Sequence, residues 1–341
     1  MRILVAPDKF RGTLSAAQAA AALAAGLRRE GHETVEMPLA DGGEGTLEVL
    51  GGANRTSVVS GPLGDPVEAP WRLARRSAVI EMARASGLEL VGGPEHNDPV
   101  AASTVGTGQL ISNALELGAK EVLVTLGGSA TTDGGLGALR AMAPLPRFKA
   151  VELVVACDVR TPFLEAADQF APQKGAGPAQ VELLRRRLAA LAEAYAADHG
   201  VDVTSLEGAG AAGGLAGGLA CAGAQLVGGF DLVAERLGLD EALAEVDAVV
   251  TGEGFLDDES FDGKVVGGVL SAARRAGLPA LAVVGDRLEG ASRMLPTVSL
   301  VEEFGREAAL SDAGGCLFEA APLVGPALAG AVPAGRPTDG Y

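Results

Sequence analysis

Short runs of branched apolar residues recur along this chain, each ending in Gly, Asp or Thr and most followed by a stretch with apolar residues three and four apart. A strand buried on both faces of a parallel sheet reads as continuous Val, Ile and Leu, and the helix that returns the chain reads with a period near 3.6. The spacing predicts strands over residues 3–6, 122–126, 153–156, 248–251 and 280–284, and helices over 16–29, 108–117, 180–198 and 265–276. This alternation makes the chain an α/β protein with parallel sheet. At 341 residues it exceeds what one hydrophobic core usually covers, so two domains are expected.

One stretch breaks the alternation. Residues 56–83, TSVVSGPLGDPVEAPWRLARRSAVIEMA, hold three β-rich runs separated by GPLGDP and RR, with no helical run between them. They predict a strand meander that opens a second domain. Runs like the N-terminal strand resume near Asp247. The expected organisation is a Rossmann-like parallel-sheet domain built from 1–55 and 236–341, with 56–235 inserted as a second α/β domain.

The formal net charge of -17, with Lys and Arg scattered along the chain, disfavours nucleic-acid and anionic-membrane partners. An anionic substrate must then be captured by a local set of donors. Cys157, Cys221 and Cys316 lie far apart and match neither a disulfide framework nor a CxxC metal site. The opening MRILVAPDKF reads as a buried strand running into charge, without the long apolar stretch of a signal peptide. Residues 209–227 are apolar but rich in Gly and Ala, with Gln225 inside, which argues against a transmembrane helix. A soluble, cytoplasmic protein is expected.

Five loops carry the polar chemistry. After the first strand, Asp8 and Lys9 precede Arg11, and Ser15 stands where it can cap the next helix. An acid beside two bases suits a phosphate or carboxylate; a solvated loop with a helix cap is the plainer alternative. In Asp41-Gly42-Gly43-Glu44-Gly45-Thr46, two carboxylates separated by glycines can hold Mg²⁺ or supply a base, or Glu44 can simply face a helix dipole. The run from Gly127, Gly128 and Ser129 to Asp133 sits between a buried strand and a helix and reads as an anion cradle. It lacks the Gly-Lys-Ser/Thr ending of a Walker A loop, and Ser129 is not in a GxSxG elbow.

The fourth loop, residues 208–214, formally contains GxGxxG and offers Gly210, Gly213 and Gly214 to a phosphate, although close packing of small residues explains it equally well. In the fifth, Glu253 and Asp257 follow a strand, and Lys264 heads a helix from which it can reach a transferring phosphate. Asp158 leaves another strand, and Lys174 sits in a turn after Pro172. The three histidines, His32, His96 and His199, stand apart, giving no support for a His metal site or triad. Carboxylates, lysines and glycine amides remain, which are the working parts of phosphoryl transfer.

Taken in order, APDKFRGTLSA, ADGGEGT, TVGTGQLI, TLGGSATTDGG, ACDV with APQKGA, GAGAAGGLAGGL and TGEGFLDDESFDGK resemble the bacterial glycerate kinase family of glyoxylate and galactarate metabolism over nearly the whole chain. The resemblance implies two α/β domains with the active site in the cleft, and phosphorylation of D-glycerate by ATP with Mg²⁺, at the 2-hydroxyl to give 2-phosphoglycerate. It places Asp8, Lys9, Asp158 and Lys264 in catalytic positions. Substrate or nucleotide binding falls to Arg11, Gly127, Gly128, Ser129, Asp133, Lys174, Gly210, Gly213 and Gly214, and metal binding to Asp41, Glu44, Glu253 and Asp257. The partner is a small molecule, and the assembly a monomer or homodimer. Three departures stand out: Arg11 where the family often has Lys, Phe255 where it often has Arg, and a short segment between Met142 and Val151. A kinase of another small sugar acid, or a non-catalytic nucleotide- or metabolite-binding relative, are the alternatives.

Overall fold

The computed structural model describes residues 1–261, 263–288 and 295–330, so Asp262 of the last motif and the end of the expected first domain lie outside the described residues. The chain divides into two compact units, one formed by Met1–Asp41 with the chain from Phe230 onward, the other by Gly42–Gly229. The junctions lie at Asp41/Gly42 and Gly229/Phe230, where the sequence reading places them at 55/56 and 235/236. Among the described residues both units are α/β.

In the first unit the described strands form a parallel sheet in the spatial order Thr297–Ser299, Ala280–Val284, Ala248–Gly252, Arg2–Pro7, Glu33–Glu36. Ile3–Ala6, Val249, Val250 and Leu281–Val284 are buried because helices cover both faces. The helix Ala16–Arg29 starts at a capping box in which the Ser15 hydroxyl accepts from the Gln18 amide while Gln18 Oε1 accepts from the Ser15 amide. Its apolar face, Ala19, Ala20, Leu23, Ala24 and Leu27, joins Ile3, Val5, Val250 and Leu281 in the core.

Chain direction across this sheet decides where a ligand can enter. From Arg2–Pro7 the chain crosses to Glu33–Glu36 on one side; from Ala248–Gly252 it crosses to Ala280–Val284 on the other. The connections therefore diverge between these two central neighbours. In open α/β sheets such a switch point opens a crevice at the carboxyl ends of the strands.

The second unit has strands in the order Arg55–Ser60, Pro66–Ala74, Ser77–Glu81, Glu121–Thr125, Glu152–Ala156, Gln225–Val227. The first pairings are antiparallel, giving the expected meander, and from Ser77–Glu81 onward the strands run parallel. The GPLGDP turn closes through the Gly61 amide donating to the Asp65 carbonyl at 2.6 Å. Trp71, Ile80, Val122, Val124 and Val155 pack with Leu215 and Leu219 in one core.

The run GAGAAGGLAGGLAC forms a buried helix, Ala211–Cys221, with left-handed backbone at Ala212, Gly213 and Gly214. Gly210, Gly213 and Gly214, expected to face a nucleotide, are instead buried against protein. A Cβ on Gly213 would overlap the Thr131 carbonyl oxygen, one on Gly210 the Pro162 carbonyl oxygen, and one on Gly214 would stand 2.8 Å from the Gly134 Cα. Close backbone packing explains these glycines.

Candidate active site

Asp8 leaves the carboxyl end of Arg2–Pro7, and its amide donates to the Gly252 carbonyl at 2.8 Å, which ties it to the end of the neighbouring strand. The loop then folds on itself: the Phe10 amide donates to the Leu14 carbonyl at 2.9 Å and the Leu14 amide returns to Phe10 at 3.0 Å. The Phe10 ring is buried in the core, leaving Lys9 half-buried and Arg11 exposed on either side of it. The Lys9 amide donates to Asp8 Oδ1 at 2.7 Å.

Glu253 follows the adjacent strand Ala248–Gly252, across the switch point from Asp8. Burial pushes the Asp8 carboxyl up to about 7, the Asp41 charge adding to the rise while Lys9 and Lys264 oppose it. Burial likewise lifts Glu253 to about 7; a Ser260 hydrogen bond and Lys264 oppose, and the Asp8 and Asp257 charges add. Glu253 Oε1 is buried and has no hydrogen-bond partner. Two buried acids close enough for the Asp8 charge to raise Glu253 cost stability.

Lys264 stands at the N-cap of Val265–Ala276, 3.5 Å from Glu259, and its charge acts on both Asp8 and Glu253. Asp257 is partly committed to the local fold, since its Oδ1 accepts from the Ser260 amide and hydroxyl, each at 3.1 Å. The first unit thus assembles Asp8, Lys9, Asp41, Glu253, Asp257 and Lys264, with Arg11 on the same loop. Phe255 is 49% exposed and pairs with Asp286 in a short two-stranded ribbon.

The second unit gathers the remaining candidates. Gly127 and Gly128 follow Glu121–Thr125, and a Cβ on Gly127 would stand 2.9 Å from the Gly43 Cα and 3.0 Å from the Glu44 amide nitrogen. Glu44 therefore lies beside Gly127. A Cβ on Gly42 would stand 3.1 Å from the Ala156 Cβ, at the end of the next strand, where Asp158 Oδ1 accepts from the Gly229 amide at 2.8 Å. Ser129 is held by a bridge to Gly87.

Residues 3–144 and 142–304 match the glycerate kinase family. The chain belongs to the glycerate kinase family. Like other members it is a kinase, transferring a phosphoryl group to an alcohol. It is 37% identical over 351 residues to the glycerate 2-kinase of Escherichia coli (strain K12), covering 91% of this chain and 90% of that one. It is 39% identical over 328 residues to the glycerate kinase of Halalkalibacterium halodurans, covering 84% of this chain and 86% of that one. A crystal structure described as a glycerate kinase 2 from Salmonella typhimurium LT2 superposes with a TM-score of 0.82 at 36% identity, covering 97% of this chain and 99% of that one.

Within this glycerate kinase scaffold, several polar residues serve the protein itself. Asp133, expected to bind substrate or nucleotide, is taken up by internal donors. Its Oδ2 accepts from the Thr104 amide at 2.9 Å and the Gly137 amide at 3.2 Å, and its Oδ1 from the Gly135 amide at 3.1 Å. Lys174, read as a ligand-binding lysine in a turn, is buried, with Nζ donating to the Thr131 carbonyl at 2.6 Å. Burial and the neighbouring acids Asp158 and Glu207 push the Cys157 thiol up to about 11.

Glu81 was missed from the sequence. It ends Ser77–Glu81 almost fully buried, and Oε1 accepts from the Gly45 and Leu47 amides, each at 2.9 Å, while Oε2 accepts from Arg84 Nε at 3.0 Å. It thereby fixes the glycine-rich segment that carries Glu44. A lone acid closing the apolar run SAVIE is the signal that points to it. Among the described residues no helix is long and apolar enough to cross a membrane.

Proposed function

We propose that this glycerate kinase transfers the γ-phosphoryl group of ATP to the 2-hydroxyl of D-glycerate, giving 2-phosphoglycerate, with Mg²⁺. The observation that carries the reading is the buried Asp8 and Glu253 pair at the switch point, both raised to about 7 and flanked by Lys9 and Lys264. A carboxyl with that value accepts a proton efficiently near neutral pH. Asp8 takes the proton of the glycerate hydroxyl as its oxygen attacks phosphorus. Lys264, at a helix N-terminus, and Lys9 stabilise charge on the phosphoryl oxygens in flight. Within the second unit, the loop of Gly127, Gly128 and Ser129 has the make-up of an anion site.

The donor set fits a hard cation. Glu253 offers a buried oxygen without a partner, and Asp41 supplies a second acid beside Asp8. Mg²⁺ usually takes one or two carboxylates and completes its shell with phosphate oxygens and water. Glu253 and Asp41 would hold it, and when bound it neutralises charge on the β- and γ-phosphates. Cys157, Cys221 and Cys316 are free thiols, in keeping with a reducing, cytoplasmic setting; we place the reaction there, on a monomer or homodimer.

An ADP-release assay over a panel of hydroxy acids tests the substrate, and ³¹P NMR of the product separates 2- from 3-phosphoglycerate. Glycerate should be the best acceptor, with kcat/KM rising through a midpoint at about pH 7 as Asp8 ionises. Asp8→Asn should lower kcat on the order of 10²–10⁴-fold. Folded protein that leaves glycerate unphosphorylated would overturn the reading.

A further inference from the structure

The loop that ends Glu121–Thr125 shows a division of labour. Gly127, Gly128 and Ser129 are half-buried or exposed, whereas Ala130, Thr131 and Thr132 are buried. The buried part carries backbone carbonyls, and two of them in succession meet side chains from far along the chain. Asn97 Nδ2 donates to the Ala130 carbonyl at 3.0 Å and to the Lys174 carbonyl at 2.9 Å. Lys174 Nζ donates to the Thr131 carbonyl at 2.6 Å. The Asn97 side chain is thus tied to the backbone of Lys174, and both side chains to adjacent peptides of one loop.

The surroundings leave this arrangement little freedom. A Cβ on Gly175 would overlap the Pro94 carbonyl oxygen, so the turn bearing Lys174 packs directly on the segment bearing Asn97. On its other side the loop is fastened by the Leu88 amide donating to the Gly128 carbonyl and the Ala130 amide donating to the Ser86 carbonyl, each at 2.9 Å. Lys174 is 3% exposed, and burying an ammonium costs free energy unless it is paired. Burial pulls it down to about 7 against the opposing charge of Asp133. A buried lysine is an expensive way to hold a turn, even with the Asp133 charge and the Phe170 ring, 5.9 Å away, facing its ammonium.

We propose that Lys174 and Asn97 are positioning residues for the kinase reaction: they clamp the Ala130 and Thr131 carbonyls from behind, so that Gly127, Gly128 and Ser129 present their donors to an anionic substrate in one fixed orientation. This replaces direct substrate contact as the role of Lys174. It rests on the glycerate kinase reading above and on the anion-binding role given there to the exposed half of the loop. Donors of this kind act only if they are preorganised.

The test uses the full chain and four proteins: wild type, Lys174→Met, Asn97→Ala and the double variant. Thermal midpoints and KM and kcat for ATP and glycerate are measured separately. Each single variant should lose about 10- to 100-fold in kcat/KM, the scale of a slight misplacement of catalytic donors. The loss should fall on the same co-substrate in both variants, and the double variant should be no worse than the weaker single one, because both act through one loop. Folded variants with unchanged kinetic constants, or losses that add in full, would overturn the clamp. A kinetic loss in Lys174→Met without one in Asn97→Ala would restore direct contact by the lysine and overturn it too. If Lys174→Met fails to fold, Asn97→Ala decides by the same KM and kcat comparison. Wild type that leaves glycerate unphosphorylated would instead remove the reading on which the clamp rests, and the clamp with it.

Discussion

Moving a carboxylate from water to an apolar surround costs free energy, and a second acid nearby raises the cost. Asp8 meets both conditions, being buried and next to Asp41 in the field of Glu253. Its carboxyl rises from 3.8 to about 7 on folding, so between these values the native state holds a proton that the unfolded chain releases. Stability therefore falls as pH climbs through that window and stays lower above it. Asn has the shape of the protonated acid, and its Oδ1 can keep the Lys9 amide bond. In metal-free protein, Asp8→Asn should be more stable than wild type at pH 8 by on the order of 2 kcal/mol, with the gap nearly closed at about pH 4. Urea unfolding at the two pH values measures this. A wild type more stable than the variant at pH 8 would show that Asp8 is not strained by its surroundings.

Regular elements were legible where periodicity is strong. Helices Ala16–Arg29 and Val265–Ala276 and strand Ala280–Val284 fall where the apolar spacing put them, and the meander runs through the expected turns. Local polar signals were legible too, since Asp8 and Glu253 each follow an apolar strand run. What sequence could not show is which polar groups turn inward, because their partners are remote. Glu81 reaches Gly45 and Leu47, and Lys174 reaches Thr131. Glycines pose the same problem, for a run such as GAGAAGGL reads alike whether it faces a ligand or another backbone. Two substitutions separate the cases. Gly213 has φ +69 and would drive a Cβ into the Thr131 carbonyl, whereas Gly12 has φ +81 and nothing within 4 Å of such a Cβ. Gly12→Ala should cost about 1–2 kcal/mol, the penalty of left-handed backbone alone. Gly213→Ala should cost at least about 3 kcal/mol, because backbone must move as well. Equal losses in urea unfolding would rule out the packing role of Gly213.

At the level of the whole molecule, the chain enters its first unit, leaves it for one continuous excursion, and returns. The excursion, Gly42–Gly229, contains every strand of its own sheet, and its cores around Trp71 and around Phe163 draw their residues from within it. The first unit lacks that independence. Arg2–Pro7 is an inner strand of its sheet, flanked by Glu33–Glu36 and Ala248–Gly252, and Ile3, Val5, Leu23 and Leu27 pack with Val250, Leu281 and Leu317 in one core. Removing the N-terminal segment would expose an apolar strand edge and the core residues packed against it to water. Residues 42–229 expressed alone should therefore fold, with a cooperative urea transition and dispersed amide resonances. Residues 230–341 alone should not, but should gain cooperative structure when mixed with residues 1–41. A gradual, non-cooperative transition in the 42–229 fragment would mean that its core needs the other unit to form, and that the two units are one folding body.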